Sequence, residues 1–140
     1  MIQIIAGAKG KGKTKHVLSL ANEAIKTAHG SVVYLDKNTK HMFELNNKIR
    51  LINVFDYPVH SLDSFLGFIC GIISQDHDLE CVFLDSFLTV ANIESSEEIE
   101  KAIEEFKQIS KRYNVKFVLS VSRDEDELPA NAREKVIMAL

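Results

Sequence analysis

At 140 residues the chain can bury one substantial core but not two, so a single domain over residues 1–140 is expected. Hydrophobic content of 46% and charged content of 26% are ordinary for a globular protein. A net charge of −3 counts against a nucleic-acid-binding domain, which usually carries a basic excess.

Strand and helix patterns then alternate along the chain, which predicts an α/β fold with a mainly parallel sheet. Met1–Ala6 reads as a buried strand, and Lys15 to His29 carries helical periodicity with Gly30 in the C-cap place. Ser31–Asp36 is a second apolar strand, followed by a polar turn from Lys37 to Lys40. Ile49–Val54 is less uniformly apolar and is expected near a sheet edge. A helix from about Ser61 to Ser74 precedes the fourth strand, Glu80–Asp85. Ser95 and Glu98 form a capping box for the next helix, whose stripe Ile99, Ala102, Ile103, Phe106, Ile109 and Tyr113 should face the core. Val115 to Val121 is the fifth strand, Arg123 to Glu127 an acidic loop, and a last short helix is expected near Asn131.

Cys70 and Cys81 sit in apolar runs and read as buried free thiols. The longest apolar stretch, Phe65 to Ile73, is far too short to span a membrane. With an opening strand in place of a signal peptide, a cytoplasmic protein is expected. That same stretch is apolar on more than one face. It should either pack beneath the region Lys40–Asn47 or offer a face for self-association or a protein partner.

The strongest chemical signal is Gly7-Ala8-Lys9-Gly10-Lys11-Gly12-Lys13-Thr14, which fits G-x-x-x-x-G-K-[ST] between a strand and a helix. Glycines let backbone N–H groups turn toward a phosphate, and the helix start adds its positive dipole end. In that pattern Lys13 reaches the β- and γ-phosphates and the Thr14 hydroxyl ligates Mg²⁺. Lys9 and Lys11 either add charge to the pocket or point to solvent. A second signal is Cys81-Val82-Phe83-Leu84-Asp85, an apolar strand closing on an acid at the end where α/β sheets bind ligands. Asp85 is the candidate Mg²⁺ partner opposite Thr14. The five histidines show no metal-ligand spacing, and Asp124 to Glu127 reads as a solvated acidic loop.

On these motifs, and on Leu84-Asp85-Ser86, the chain resembles the ATP-binding core of RecA-like P-loop proteins over roughly residues 1–123. It is also similar to short bacterial P-loop proteins labelled twitching-motility ATPases. The resemblance implies a three-layer α/β/α sandwich around a five-stranded sheet with chain-numbered strand order 3-2-4-5-1. It implies ATP and Mg²⁺ as ligands, with Ser120 or Ser122 as a γ-phosphate sensor. The Asn/Thr-Lys-x-Asp motif by which GTPases read their base is absent.

The family positions its attacking water with a glutamate two residues beyond the acid closing the second strand, and Asn38 stands there, after Asp36 and Lys37. Asn orients a water but does not take its proton. Asp36 is then either a substitute base or a strand-end turn cap. Lys13, Asp36, Asn38 and Ser122 are the candidate catalytic residues of a weak Mg-dependent ATPase. The alternatives are a non-hydrolysing nucleotide-binding regulatory or partner-docking module and a small-molecule phosphotransferase, against which the four scattered arginines count, since such enzymes close an Arg-rich lid over the phosphates.

Overall fold

Six strands hydrogen-bond into one sheet in the computed structural model, which describes residues 1–140. They are β1 (Ile2–Ala6), β2 (Ser31–Asp36), β3 (Arg50–Asn53), β4 (Leu79–Leu84), β5 (Lys116–Val121) and β6 (Val136–Ala139). The order is β3-β2-β4-β5-β1-β6, and every neighbouring pair is parallel. Residues 1–123 supply the expected order 3-2-4-5-1, with β3 at an edge, but the strand count is six rather than five. The segment near Asn131 accounts for the difference. Its helix, Ala130–Arg133, lasts one turn, and the β-prone run Val136-Ile137-Met138-Ala139 then docks on β1.

Five helices connect the strands: α1 (Lys13–Thr27), α2 (Leu62–Gln75), the short α3 (Phe87–Val90), α4 (Ser96–Tyr113) and α5 (Ala130–Arg133). The four inner strands β2, β4, β5 and β1 are largely buried because both faces of the sheet are covered there. Ile5, Tyr34, Phe83 and Val118 pack with Val17, Leu18 and Ala21 of α1 in one cluster. Ile4, Leu35, Leu84 and Leu119 pack with residues of α2, α3 and α4 in the other. That larger cluster is built on Phe65, Phe87, Phe106 and Phe117, with the Phe106 and Phe117 ring centroids 4.9 Å apart.

Helix starts differ in a way that bears on function. Capping boxes close α2 (Ser61 with Ser64) and α4 (Ser95 with Glu98). The first turn of α1 has neither a side-chain cap nor an acid, and its N-cap Gly12 is left-handed with φ 88°. Its N-terminal N–H groups are therefore free to meet an anion.

Several local expectations are corrected. Ala28, not Gly30, caps α1; Gly30 is required because a Cβ there would lie 1.8 Å from the Asp78 carbonyl oxygen. Tyr113 is 45% exposed, since the α4 stripe rotates off the core in its last turn, where Ser110 is the buried residue. Cys81 is buried but Cys70 is exposed on the outer side of α2, and both are free thiols. Nor does α2 lie under residues 40–47: Leu45 and Ile49 belong to the cluster on the opposite face of the sheet. Its apolar breadth is taken up by the core, with Phe65, Ile69 and Ile73 buried and Leu66, Phe68 and Ile72 half-buried against the same cluster. Within Phe65–Ile73 the residues left outward are Gly67, Cys70 and Gly71. No helix is long and apolar enough to cross a membrane.

Candidate functional site

At the carboxyl ends of β1, β2, β4 and β5 the loops enclose a cleft of about 530 Å³ with no apolar residue in its wall. Lys9, Gly10, Gly12, Lys13 and Thr14 line it from the β1–α1 loop, and Lys37, Lys40 and His41 from the segment after β2. Asp85, Ser86 and Thr89 follow β4, while Ser120 and Ser122 come from β5 and its end. Four lysines thus face a single carboxylate, an imbalance that suits a ligand carrying several negative charges.

The backbone of the glycine-rich loop is arranged to the same end. Gly10 and Gly12 take left-handed φ values of 82° and 88°, which Cβ-bearing residues adopt at a cost. No residue from Ala8 to Gly12 donates its backbone N–H to a protein acceptor. Five consecutive free donors ahead of an uncapped helix are an arrangement that suits an anion. Gly7 is not left-handed; a Cβ there would lie 3.1 and 3.2 Å from the Leu140 side chain and carbonyl, which would have to give by a few tenths of an ångström.

Lys13 is only 8% exposed, and its amine donates to the Ala8 carbonyl at 3.1 Å. Desolvation pulls it below the usual lysine range, the charge of Asp85 partly opposes this, and Lys9 adds to it. Across the cleft Asp85 is 2% exposed and held at both oxygens. Its Oδ1 accepts from the Ser120 hydroxyl at 2.7 Å and from the Ser86 N–H at 2.9 Å. Its Oδ2 accepts only from the Tyr34 hydroxyl, at 3.0 Å, which leaves one acceptor position open. Ser86 sits in the left-handed region at φ 56°, and its N–H also reaches Ser120 Oγ at 2.9 Å. A non-glycine residue held there is a strained turn kept by its surroundings.

Gly7 to Thr14, Asp85, Ser120 and Ser122 come together around this end of the sheet; Lys11 is exposed and off the cleft wall. Asp36 and Asn38 are also off it. Asp36 is buried with Oδ1 accepting from the Lys37 N–H at 2.7 Å, and burial raises its pKa. Asn38 turns its Oδ1 onto the Lys40 N–H at 2.9 Å. These turns send Lys37, Lys40 and His41 to the wall instead. Of the two arginines near this face, Arg123 donates to the Glu94 carbonyl and Arg133 to that of Leu128.

Tyr34, Lys37, Lys40, His41, Ser86 and Thr89 had no assigned role in the sequence. Only Tyr34 carried a signal, as a hydroxyl in an otherwise apolar buried strand that must find a partner. The exposed carboxylates of Asp124, Asp126 and Glu127 gather within 4.8 Å of one another, beyond the end of β5 and outside the cleft wall. A second cleft, of about 490 Å³, lies at the opposite end of the sheet between the ends of α1 and α2, with six apolar residues in its lining. No protein-family model and no curated protein matches the chain.

Proposed function

We propose that the chain is a nucleotide-binding protein of the RecA-like P-loop class, a three-layer α/β/α domain whose ligand is ATP with Mg²⁺. The observation that carries this reading is the run of five unpaired backbone N–H groups from Ala8 to Gly12, set beside Lys13 and across from Asp85. Such a cradle matches the bridging and terminal oxygens of a polyphosphate. The partly desolvated Lys13 amine, with one carbonyl as its acceptor, gains most from a second, anionic partner.

The donor set also fits a hard divalent cation. Thr14 offers a hydroxyl, and Asp85 retains one acceptor position on Oδ2 for a metal-bound water. Mg²⁺ bound there would neutralise phosphate charge. The preference for ATP rests on the family resemblance and on the missing GTPase base-reading motif.

A non-hydrolysing binding module is the second reading. It is favoured by the inward turns of Asp36 and Asn38 onto the N–H groups of Lys37 and Lys40. One calorimetric titration with ATP and Mg²⁺, followed by phosphate release on the same sample, tests both. Saturable binding that weakens by about 10- to 100-fold in Lys13→Ala is expected, and no binding by the wild type would sink the proposal.

A further inference from the structure

His41 lies where two clefts meet. It lines the lysine-rich cleft with Lys13 and Thr14. It also lines a neighbouring cleft of about 420 Å³ that runs along α1 past Ser19, Asn22 and Glu23. Thr14 is the other residue common to both. The imidazole does not hang free, because its Nδ1 is hydrogen-bonded to Glu44 Oε2. A carboxylate on Nδ1 fixes the ring and keeps the proton there, which leaves the Nε2 lone pair as the ring's one basic atom.

The segment bearing this pair is tied to the helix that begins at the glycine-rich loop. Asn22 of α1 donates from Nδ2 to the Glu44 carbonyl at 2.9 Å and accepts the Asn46 N–H at 2.8 Å. The His41–Glu44 turn closes with Glu44 N–H donating to the His41 carbonyl at 2.9 Å. Histidine and carboxylate are thus positioned from the same helix that carries Lys13 and Thr14, while Asp36 and Asn38 are engaged elsewhere.

We propose that His41, oriented by Glu44, is the general base that activates water for hydrolysis of the bound nucleoside triphosphate. The inference rests on the nucleotide-binding reading above and adds the reaction to it. Water enters from the cleft along α1. Nε2 takes one of its protons as the water oxygen forms a bond to the γ-phosphorus. The bond from that phosphorus to the β,γ-bridging oxygen breaks, and the nucleoside diphosphate leaves with the electron pair. His41 then returns the proton to solvent, so the products are nucleoside diphosphate, inorganic phosphate and one proton. His41 is the catalytic residue, and Glu44 is a positioning residue.

The test combines kinetics with a spectroscopic readout on the free protein. His41→Ala is expected to lower kcat by about 10²- to 10⁴-fold while the calorimetric affinity for Mg-ATP changes little, and added imidazole should restore part of the rate. Glu44→Ala should lower kcat at unchanged KM. In ¹⁵N spectra of the free wild type, His41 should be protonated at Nδ1, a preference lost in Glu44→Ala. Wild-type turnover by His41→Ala overturns the proposal, as does a defect that imidazole leaves untouched, or an Nε2-protonated His41 in the wild type. Wild type that binds Mg-ATP and releases no phosphate also overturns it, leaving the binding reading intact; absence of binding removes both.

Discussion

The Tyr34 hydroxyl donates to Asp85 Oδ2 at 3.0 Å, joining the buried ring on β2 to the residue that follows β4 in the cleft wall. Tyr34 is fully buried, and its ring stacks on Phe83, the residue paired with it on β4. Burial first, and the Asp85 charge second, hold the phenol in its protonated form, so it serves as a permanent donor.

Tyr34→Phe should therefore destabilise the protein by about 1–3 kcal/mol, because a buried carboxylate loses one of its three donors. Urea unfolding of the single variants and of Tyr34→Phe with Asp85→Asn forms a double-mutant cycle. A coupling of at least about 0.5 kcal/mol is expected; additivity would show that the contact contributes nothing specific.

Lys13→Met is predicted to separate stability from function. The desolvated amine of Lys13 has the Ala8 carbonyl as its acceptor, so replacing it with a thioether of similar length should leave the melting temperature unchanged or raised. Affinity for Mg-ATP should fall by about 10- to 100-fold, the loss of one charged hydrogen bond. Calorimetric titration and thermal melts on the same samples check both halves.

Asp36 gives a pH signature. Burial raises its pKa in the folded state, with the Lys37 N–H partly opposing, so the folded protein binds its proton more tightly than the unfolded chain does. The stabilising contribution of the protonated form is complete below the unfolded value of 3.8 and is lost as pH rises through the raised folded value. At neutral pH the ionised Asp36 then costs stability. Asp36→Asn keeps an Oδ1 for Lys37 and should melt higher than wild type at neutral pH, with the gap closing in acid. A gap independent of pH would refute the assignment.

Two glycines should respond to alanine with opposite signs. Gly30→Ala forces a Cβ onto the Asp78 carbonyl oxygen, an atom of the backbone that cannot swing away. The Ser31 N–H bond to that same carbonyl, 2.8 Å long, would be strained, and a loss of about 1–3 kcal/mol is expected. Gly67→Ala meets nothing within 4 Å on the outer side of α2 and should gain about 0.5–1 kcal/mol through helix propensity. Chemical denaturation of the two variants reads both signs directly.

The elements legible in advance were those with complete local signatures. Ser31–Asp36 matches its expected bounds, and the Ser95–Glu98 capping box forms as the spacing requires. The sixth strand was not legible, because Val136-Ile137-Met138-Ala139 is too short to show a period and becomes a strand only by pairing with β1. The exposure of Tyr113 and the packing of α2 depended on which neighbours cover each face, which periodicity does not encode.

In the candidate site the same division holds. The spacing of Gly7, Gly12, Lys13 and Thr14 is itself a conformational statement, since left-handed glycines and an uncapped helix start create free N–H donors whatever surrounds them. Asp85 at the close of an apolar strand was readable for the same local reason. The Tyr34 and Ser120 bonds to Asp85, and the place of His41 between two clefts, depend on residues far apart in the chain. Sequence alone determined the loop, because its chemistry lies in consecutive backbone groups. Tertiary structure decided which side chains face it, because strand order and loop anchoring, such as that of Asn22 to Glu44 and Asn46, set those distances.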